Sequence, residues 1–341
     1  MNALNETLVT SETRTAPPGL TLRPYAGVAD IPVIVDIINR ELEADGVPFR
    51  EDAGHVGAWY SNPSENFDAT RDVTIAEIDG VPVAQADRSW VDTTLEPVYR
   101  EYRMGGAVVP EWRNMGIGTA LIRHNQQKLR ELAQAHGTSL PRVFGSWNSD
   151  RQAAATKVLE ENGFEKVRHF YEMTRDLNEP IPDVVVPDGL EIRPVRPDEY
   201  RKIWQADVEA FRDHWGGFED SEESYQRWIS RPDFDTSLWV VLFDGEKVAG
   251  ASINAVSKEE NEQLGVNRGW LHSVFTMREY RRRGVAHAAV TASLKLLKGR
   301  GYDTGILGVD ATNPTGAVRV YESVGFVIAE RSTAWRKPFE I

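Results

Sequence analysis

The sequence predicts two consecutive mixed α/β domains of one kind, packed against each other as a pseudo-dimer. Three observations predict this. A chain of 341 residues exceeds one ordinary core and suits two domains of about 150 residues. Three landmarks recur in one order at nearly one separation: Gly19-Leu20-Thr21-Leu22-Arg23-Pro24 and Gly189-Leu190-Glu191-Ile192-Arg193-Pro194 lie 170 residues apart, Arg113 and Arg281 168, and Gly163-Phe164 and Gly325-Phe326 162. Such a pattern marks an internal duplication. In each copy, finally, short apolar strands are interspersed with helical segments in one matching order.

The elements follow in order. Residues 1–18 are polar and rich in Ser and Thr, without the apolar run of a signal peptide, and read as a loose tail. The first domain spans 19–177 and the second 189–341. Each opens with a strand (21–24; 191–194) and a helical segment (31–43; 199–212). A hairpin follows, 73–78 with 81–86 and 238–243 with 248–253, turning at Asp79-Gly80 and Asp244-Gly245. Asp-Gly suits the type I′ turn, whose two central residues need positive φ. A strand, a basic turn and a long helix come next, then a strand (142–146; 304–309), another helix and a closing strand after Gly-Phe. Residues 178–188 carry Pro180, Pro182 and Pro187 and read as an extended, stiff linker.

Composition narrows the function. No apolar run is long enough to span a membrane. Zero cysteines exclude disulfides, thiolate metal sites and a Cys acyl-enzyme, and point to the cytoplasm. The net charge of −13 argues against nucleic-acid binding, favours approach of cationic small molecules, and also serves solubility. The seven histidines show no metal spacing, and nucleotide-binding and hydrolase motifs are missing.

The chemistry is carried by the turn Arg281-Arg282-Arg283-Gly284-Val285-Ala286, which follows the strand of Val274, Phe275 and Thr276. It opens a helix whose Val285, Ala288, Ala289, Ala292 and Leu296 recur on one face. Free N–H groups of a helix start, beside three Arg and a glycine that lets an anion approach, form a pyrophosphate cradle. The device occurs twice: Arg113-Asn114-Met115-Gly116-Ile117-Gly118 follows Val108 and Val109.

The spacing Arg-x-x-Gly-x-Ala resembles the acyl-CoA signature of the GNAT superfamily of N-acetyltransferases, and the layout over 19–337 resembles a tandem member of the mycothiol synthase type. The resemblance implies two GNAT-like domains, each a mixed, mostly antiparallel sheet with helices on both faces. It further implies acetyl-CoA as co-substrate, a small-molecule amine as acceptor, direct attack without a covalent enzyme intermediate, no metal, and a monomer. It puts backbone N–H groups near Val274 and Phe275 at the thioester oxygen, Asn313 on the pantetheine arm, and Tyr321, four residues before Gly325, at the CoA sulfur as general acid. Mycothiol synthases carry a Glu where this chain has Trp270. His272, two residues on and on the same strand face, matches the serotonin N-acetyltransferases and is a candidate base; His214, on the loop that covers the acceptor, is another.

Other features read as structural. Ser221 caps a helix running to Trp228, with Glu222 and Glu223 in its first turn. Trp215, Trp228, Trp239 and Trp270 fill cores or wall a pocket. The first copy keeps its cradle, but Leu159 stands where the second has Tyr321, Arg151 where it has Asn313 and Asn148 where it has Asp310; Gly105 and Gly106 weaken its strand. It reads as a structural partner that still has the means to hold acetyl-CoA. The competing reading is a non-catalytic acyl-CoA-binding or regulatory protein.

Overall fold

A computed structural model describes residues 16–94, 96–212, 214–215, 220–313 and 316–340. Most of the tail and Glu219 of the acidic run lie outside the described residues. The first half runs β1 (Leu20–Pro24), α1 (Ile31–Ala44), α2 (Ala53–Tyr60), α3 (Ala69–Asp72), β2 (Val73–Ile78), β3 (Val81–Asp92), β4 (Arg100–Val108), α4 (Ile117–Ala135), β5 (Arg142–Ser149), α5 (Ala153–Glu161) and β6 (Glu165–Asp176). The second runs β7 (Glu191–Ile192), α6 (Tyr200–Phe211), α7 (Glu222–Ile229), β8 (Val240–Asp244), β9 (Lys247–Ala255), α8 (Lys258–Leu264), β10 (Arg268–Thr276), α9 (Val285–Gly299), β11 (Thr304–Asp310), α10 (Ala317–Ser323) and β12 (Val327–Pro338).

Both hairpins form, and Ser221 caps α7 by accepting from the Ser224 N–H. β2 and β3 turn at Asp79-Gly80, with φ 51° and 78°, but β8 and β9 turn at Gly245-Glu246 and not at Asp244-Gly245: Asp244 stays in the ladder opposite Lys247, and only Gly245 of the pair takes positive φ, at 55°. Other details also depart from expectation, helices α2 and α3 among them. The strand expected at 191–194 is only Glu191–Ile192, paired with Phe243 and Leu242 of β8. Helix α8, between β9 and β10, was not foreseen, although Ser257 followed by Glu260 spells a helix start: the Ser257 hydroxyl accepts from the Glu260 N–H at 3.1 Å.

All twelve strands form one sheet in the order β1-β2-β3-β4-β5-β12-β6-β11-β10-β9-β8-β7. The closing strands are exchanged. β12 pairs with β5 of the first half and β6 pairs with β11 of the second, while β6 and β12 pair with each other. The cores follow: Trp335 of β12 is 1% exposed among Tyr102, Leu129, Phe144 and Leu159, and Met173 of β6 lies at 0% among Leu271, Leu294, Leu307 and Tyr321.

The sheet curls far enough for helices near its opposite ends to touch. His55 of α2 reaches Asp233 after α7 at 3.2 Å, the Ser257 hydroxyl donates to Asp52 at 3.0 Å, and Arg268 donates to the Pro48 carbonyl at 2.9 Å. The 178–188 linker is strapped across α9. Lys295 pairs with Asp183 at 3.0 Å, and Val186 packs on the cluster of Val285, Ala288 and Ala289.

Candidate active site

The two cradles share one backbone. Arg282 and Gly284 lie in the left-handed region at φ 62° and 86°, and Asn114 and Gly116, each 168 residues earlier, at 61° and 82°. An alternation of this kind turns successive N–H groups into one concavity, a nest for anions. Gly284 and Gly116 are the residues before α9 and α4, and neither helix start has a side-chain cap, so its N–H groups remain for a ligand. Buried Val285 and Ile117 anchor the two starts, and Ala286 follows half-buried. Arg281 donates to the Thr276 carbonyl at 3.4 Å, Arg283 lies over the Tyr280 ring at 5.2 Å, and Arg282 and Arg283 are exposed.

In the first half Arg113 is gripped by Asp45 through two 2.8 Å hydrogen bonds. Its charge is therefore answered within the protein, and that cradle relies on backbone. Met115 is exposed, Val109 is buried, and Gly118 lies where an added Cβ would touch Val158 at 3.4 Å. A cleft of about 600 Å³ opens here, reaching Gly105, Gly106, Val108, Arg113, Asn114 and Leu159.

Beside each cradle the sheet is split. β10 pairs with β11 only over Arg268 to Trp270, and β4 with β5 only over Arg100 to Arg103. Beyond that the strands part, leaving one edge of β10 without a strand partner among the described residues. The Met277 N–H bonds to Ala249 of β9 at 3.0 Å, and the antiparallel ladder alternates residue by residue. Phe275 and Ser273 therefore aim their N–H groups at β9, whereas Val274 and Thr276 aim theirs into the split. The expectation for Phe275 shifts accordingly: its N–H is used in the sheet and its buried ring packs with Ile203 and Ala206 of α6.

Tyr321 occupies the other wall. Its ring shares a cluster with Val309 and Val274 and lies 6.0 Å from Phe326. Burial pushes its pKa upward, so the hydroxyl holds its proton at neutral pH. Leu159 is its counterpart: the Phe164 and Phe326 N–H groups bond to the Leu159 and Tyr321 carbonyls, each at 3.0 Å. Asn313 donates its backbone N–H to the Asp310 carbonyl at 3.1 Å and accepts from Gly316 at 3.3 Å, at the turn before α10.

The other face of the split carries the candidate base. His272 sits in a β-bulge between Leu271 and Ser273. Its Nε2 meets the Arg231 guanidinium at 2.5 Å, and since Arg only donates, that nitrogen accepts. Although the side chain has solvent contact, the surrounding protein, with Arg231 adding, pushes its pKa down to about 4. His272 is thus neutral but weakly basic, with one nitrogen occupied. His214, on the loop after α6, lies against Phe211 with ring centres 4.3 Å apart and planes tilted by 46°.

Beside the bulge the structure brings up a carboxylate that sequence reasoning missed. Asp207 of α6 accepts from the Ser273 hydroxyl at 2.6 Å, and burial raises its pKa to about 6. Its only sequence signal was a polar residue inside an otherwise apolar helix stripe. Glu260 of α8 was missed as well; it accepts from the Trp270 indole at 3.0 Å and pairs with Arg268 at 2.8 Å. His55, Asp52, Asp233 and Arg231 link the halves around this face. The His55 hydrogen bond to Asp233 raises its pKa to about 9 against the opposing effect of burial, with Asp52 adding. Among the described residues no three of His, Asp or Glu are grouped to hold a metal ion, and no helix is long and apolar enough to cross a membrane.

The profile of the Acetyltransferase (GNAT) family matches residues 200–326. A mycothiol acetyltransferase of Acidothermus cellulolyticus is 29% identical over 64% of this chain and 66% of its own length. One of Thermobispora bispora is 29% identical over 53% and 61%. The match thus spans less than two thirds of either relative. A GCN5-related N-acetyltransferase structure from Sphaerobacter thermophilus superposes with a TM-score of 0.71 at 24% identity, covering 96% of this chain and 98% of that one. A tandem GNAT protein from the clavulanic acid biosynthesis pathway does so with a TM-score of 0.68 at 15% identity, covering 94% and 99%. Its second half thus matches the acetyltransferase family profile, and with its paired cradles and split strands the whole chain shares the fold of tandem GNAT proteins, a class of acyltransferases. Within that class the chain resembles mycothiol synthase.

Proposed function

We propose that this protein is an acetyl-CoA-dependent N-acetyltransferase whose second half moves the acetyl group to a primary amine of a small molecule by direct attack. One observation carries the reading: the Arg282–Gly284 nest at the start of α9 stands beside a split strand pair where the Val274 N–H has no strand partner, with a proton-bearing Tyr321 in the same cluster.

In this reading the nest and Arg281 to Arg283 hold the pyrophosphate, with Val285 and Ala286 fixing the helix start, and Asn313 meets the pantetheine arm. The co-substrate supplies an activated acyl thioester. The Val274 N–H donates to its carbonyl oxygen as negative charge develops there. Asp207, ionised above about pH 6, takes the proton lost by the amine as the C–N bond forms. Tyr321 gives its proton to the sulfur as the C–S bond breaks. Asp207 replaces His272 as base, because the neutral His272 offers its Nε2 to Arg231.

The domain limits 19–177 and 189–341, a single chain as the working unit, and a cytoplasmic setting belong to the same proposal. The first half, with Leu159 in place of the acid, serves as a second acyl-CoA pocket without chemistry; its 600 Å³ cleft supports this. Calorimetric titration with acetyl-CoA tests the reading. Binding lost on changing Gly284 supports it, and a chain that binds none at either cradle refutes it.

A further inference from the structure

Between the halves lies a cavity of about 530 Å³, bounded by α2 and β3 on one side and α6 and α7 on the other. Three carboxylates reach it: Glu51, Asp87 and Asp207. Among the described residues none of the three forms an ion pair, and the cations at the cavity are engaged elsewhere: Arg231 on Asp233 at 2.7 Å, Arg227 on the Asn62 carbonyl at 3.3 Å, and His55 on Asp52 and Asp233.

A second observation is independent of these charges. Gln85 of β3 lines the same cavity at 4% exposure, and its buried Oε1 accepts no hydrogen bond. A buried acceptor left unpaired is unfavourable, so among the described residues the site lacks a donor. Aromatic walls, Tyr60, Trp204 and Trp228, suit ammonium groups and the methylenes between them. A metal ion does not fit, since no three acidic or His side chains cluster closely enough among the described residues. Spread acceptors call for spread donors.

We propose that this cavity binds a linear di- or polyamine, with one ammonium held at Glu51 and Asp87 beside Gln85 while a second amine meets Asp207. This deepens the function proposed above and rests on it. The first half thereby supplies substrate recognition for chemistry done in the second.

The full chain tests this directly, because a chain with zero cysteines adds no background when released CoA thiol is titrated. Spermidine should show a kcat/KM at least about tenfold above n-butylamine, the worth of one charged hydrogen-bonded contact. The Glu51→Gln/Asp87→Asn double variant should erase that advantage and leave n-butylamine within about twofold. Equal kcat/KM for the two amines in the wild type would overturn the proposal, as would indifference of the preference to the double variant. The wild-type comparison stands even if the variant fails to fold. Calorimetry separates the two readings. Spermidine bound at one site and not displaced by magnesium, with no acetyl-CoA binding, upholds the cavity and refutes the acetyltransferase; acetyl-CoA bound without spermidine does the reverse.

Discussion

At the scale of single residues, charge and protonation decide the roles. Asp207 carries a pKa raised to about 6 by burial, so its basic form is gained as pH rises through that value. For the wild type, kcat/KM should fall about tenfold per unit below pH 6. Asp207→Asn should lose about 100-fold in kcat and abolish that limb, whereas His272→Gln should keep it. A pH–rate profile of the three proteins checks this, and a limb that disappears with His272 instead would restore the histidine. Tyr321→Phe removes only the hydroxyl from a packed ring, so turnover should drop at least about tenfold while acetyl-CoA affinity stays within about twofold.

Among elements, the helix starts matter most. Gly284 sits at φ 86°, a conformation that costs a residue with a Cβ about 1–2 kcal/mol. Gly284→Val should weaken acetyl-CoA binding at the second half at least about tenfold by calorimetry, since the nest must open to relieve that strain. Gly116→Val should leave turnover within about twofold. Both cradle turns were legible in the sequence because they are local: a glycine just before an apolar helical stripe marks the turn, while the left-handed Arg282 and Asn114 beside it were not foreseen. The Asp79-Gly80 hairpin and the Ser221 cap were legible for the same reason, whereas the β8–β9 turn falls one residue past the Asp-Gly pair, where the ladder keeps Asp244 opposite Lys247. What escaped depends on contacts distant in sequence. Asp207 meets Ser273 66 residues away, and Arg231 occupies one nitrogen of a histidine 41 residues on; no window on the chain holds either pair. The bulge that turns His272 toward Arg231 likewise needs the register between β9 and β10.

For the whole molecule, the junction should respond to pH. His55 has a folded pKa raised to about 9 by Asp233, above the ordinary value near 6.5. Its stabilising effect is therefore complete below about pH 6.5 and lost as pH rises through 9. The Tm gap between wild type and His55→Gln should be widest near pH 6 and close by about pH 9.5; a gap that widens with pH would show that the bridge does not hold the halves. Ending the chain after Phe326 removes β12 and bares the edges of β5 and β6. Light scattering should then report aggregates, because unpaired strand edges recruit other chains.

The exchanged closing strands have a bearing on how such a duplicated chain can drift. Each copy's final strand lies against the other copy's sheet, so neither can be discarded, shortened or replaced without unmaking its sister. The first copy carries Leu159 where the second carries Tyr321. If chemistry belongs to the second copy alone, as proposed, the first is still bound by architecture while its acceptor face is free for another duty.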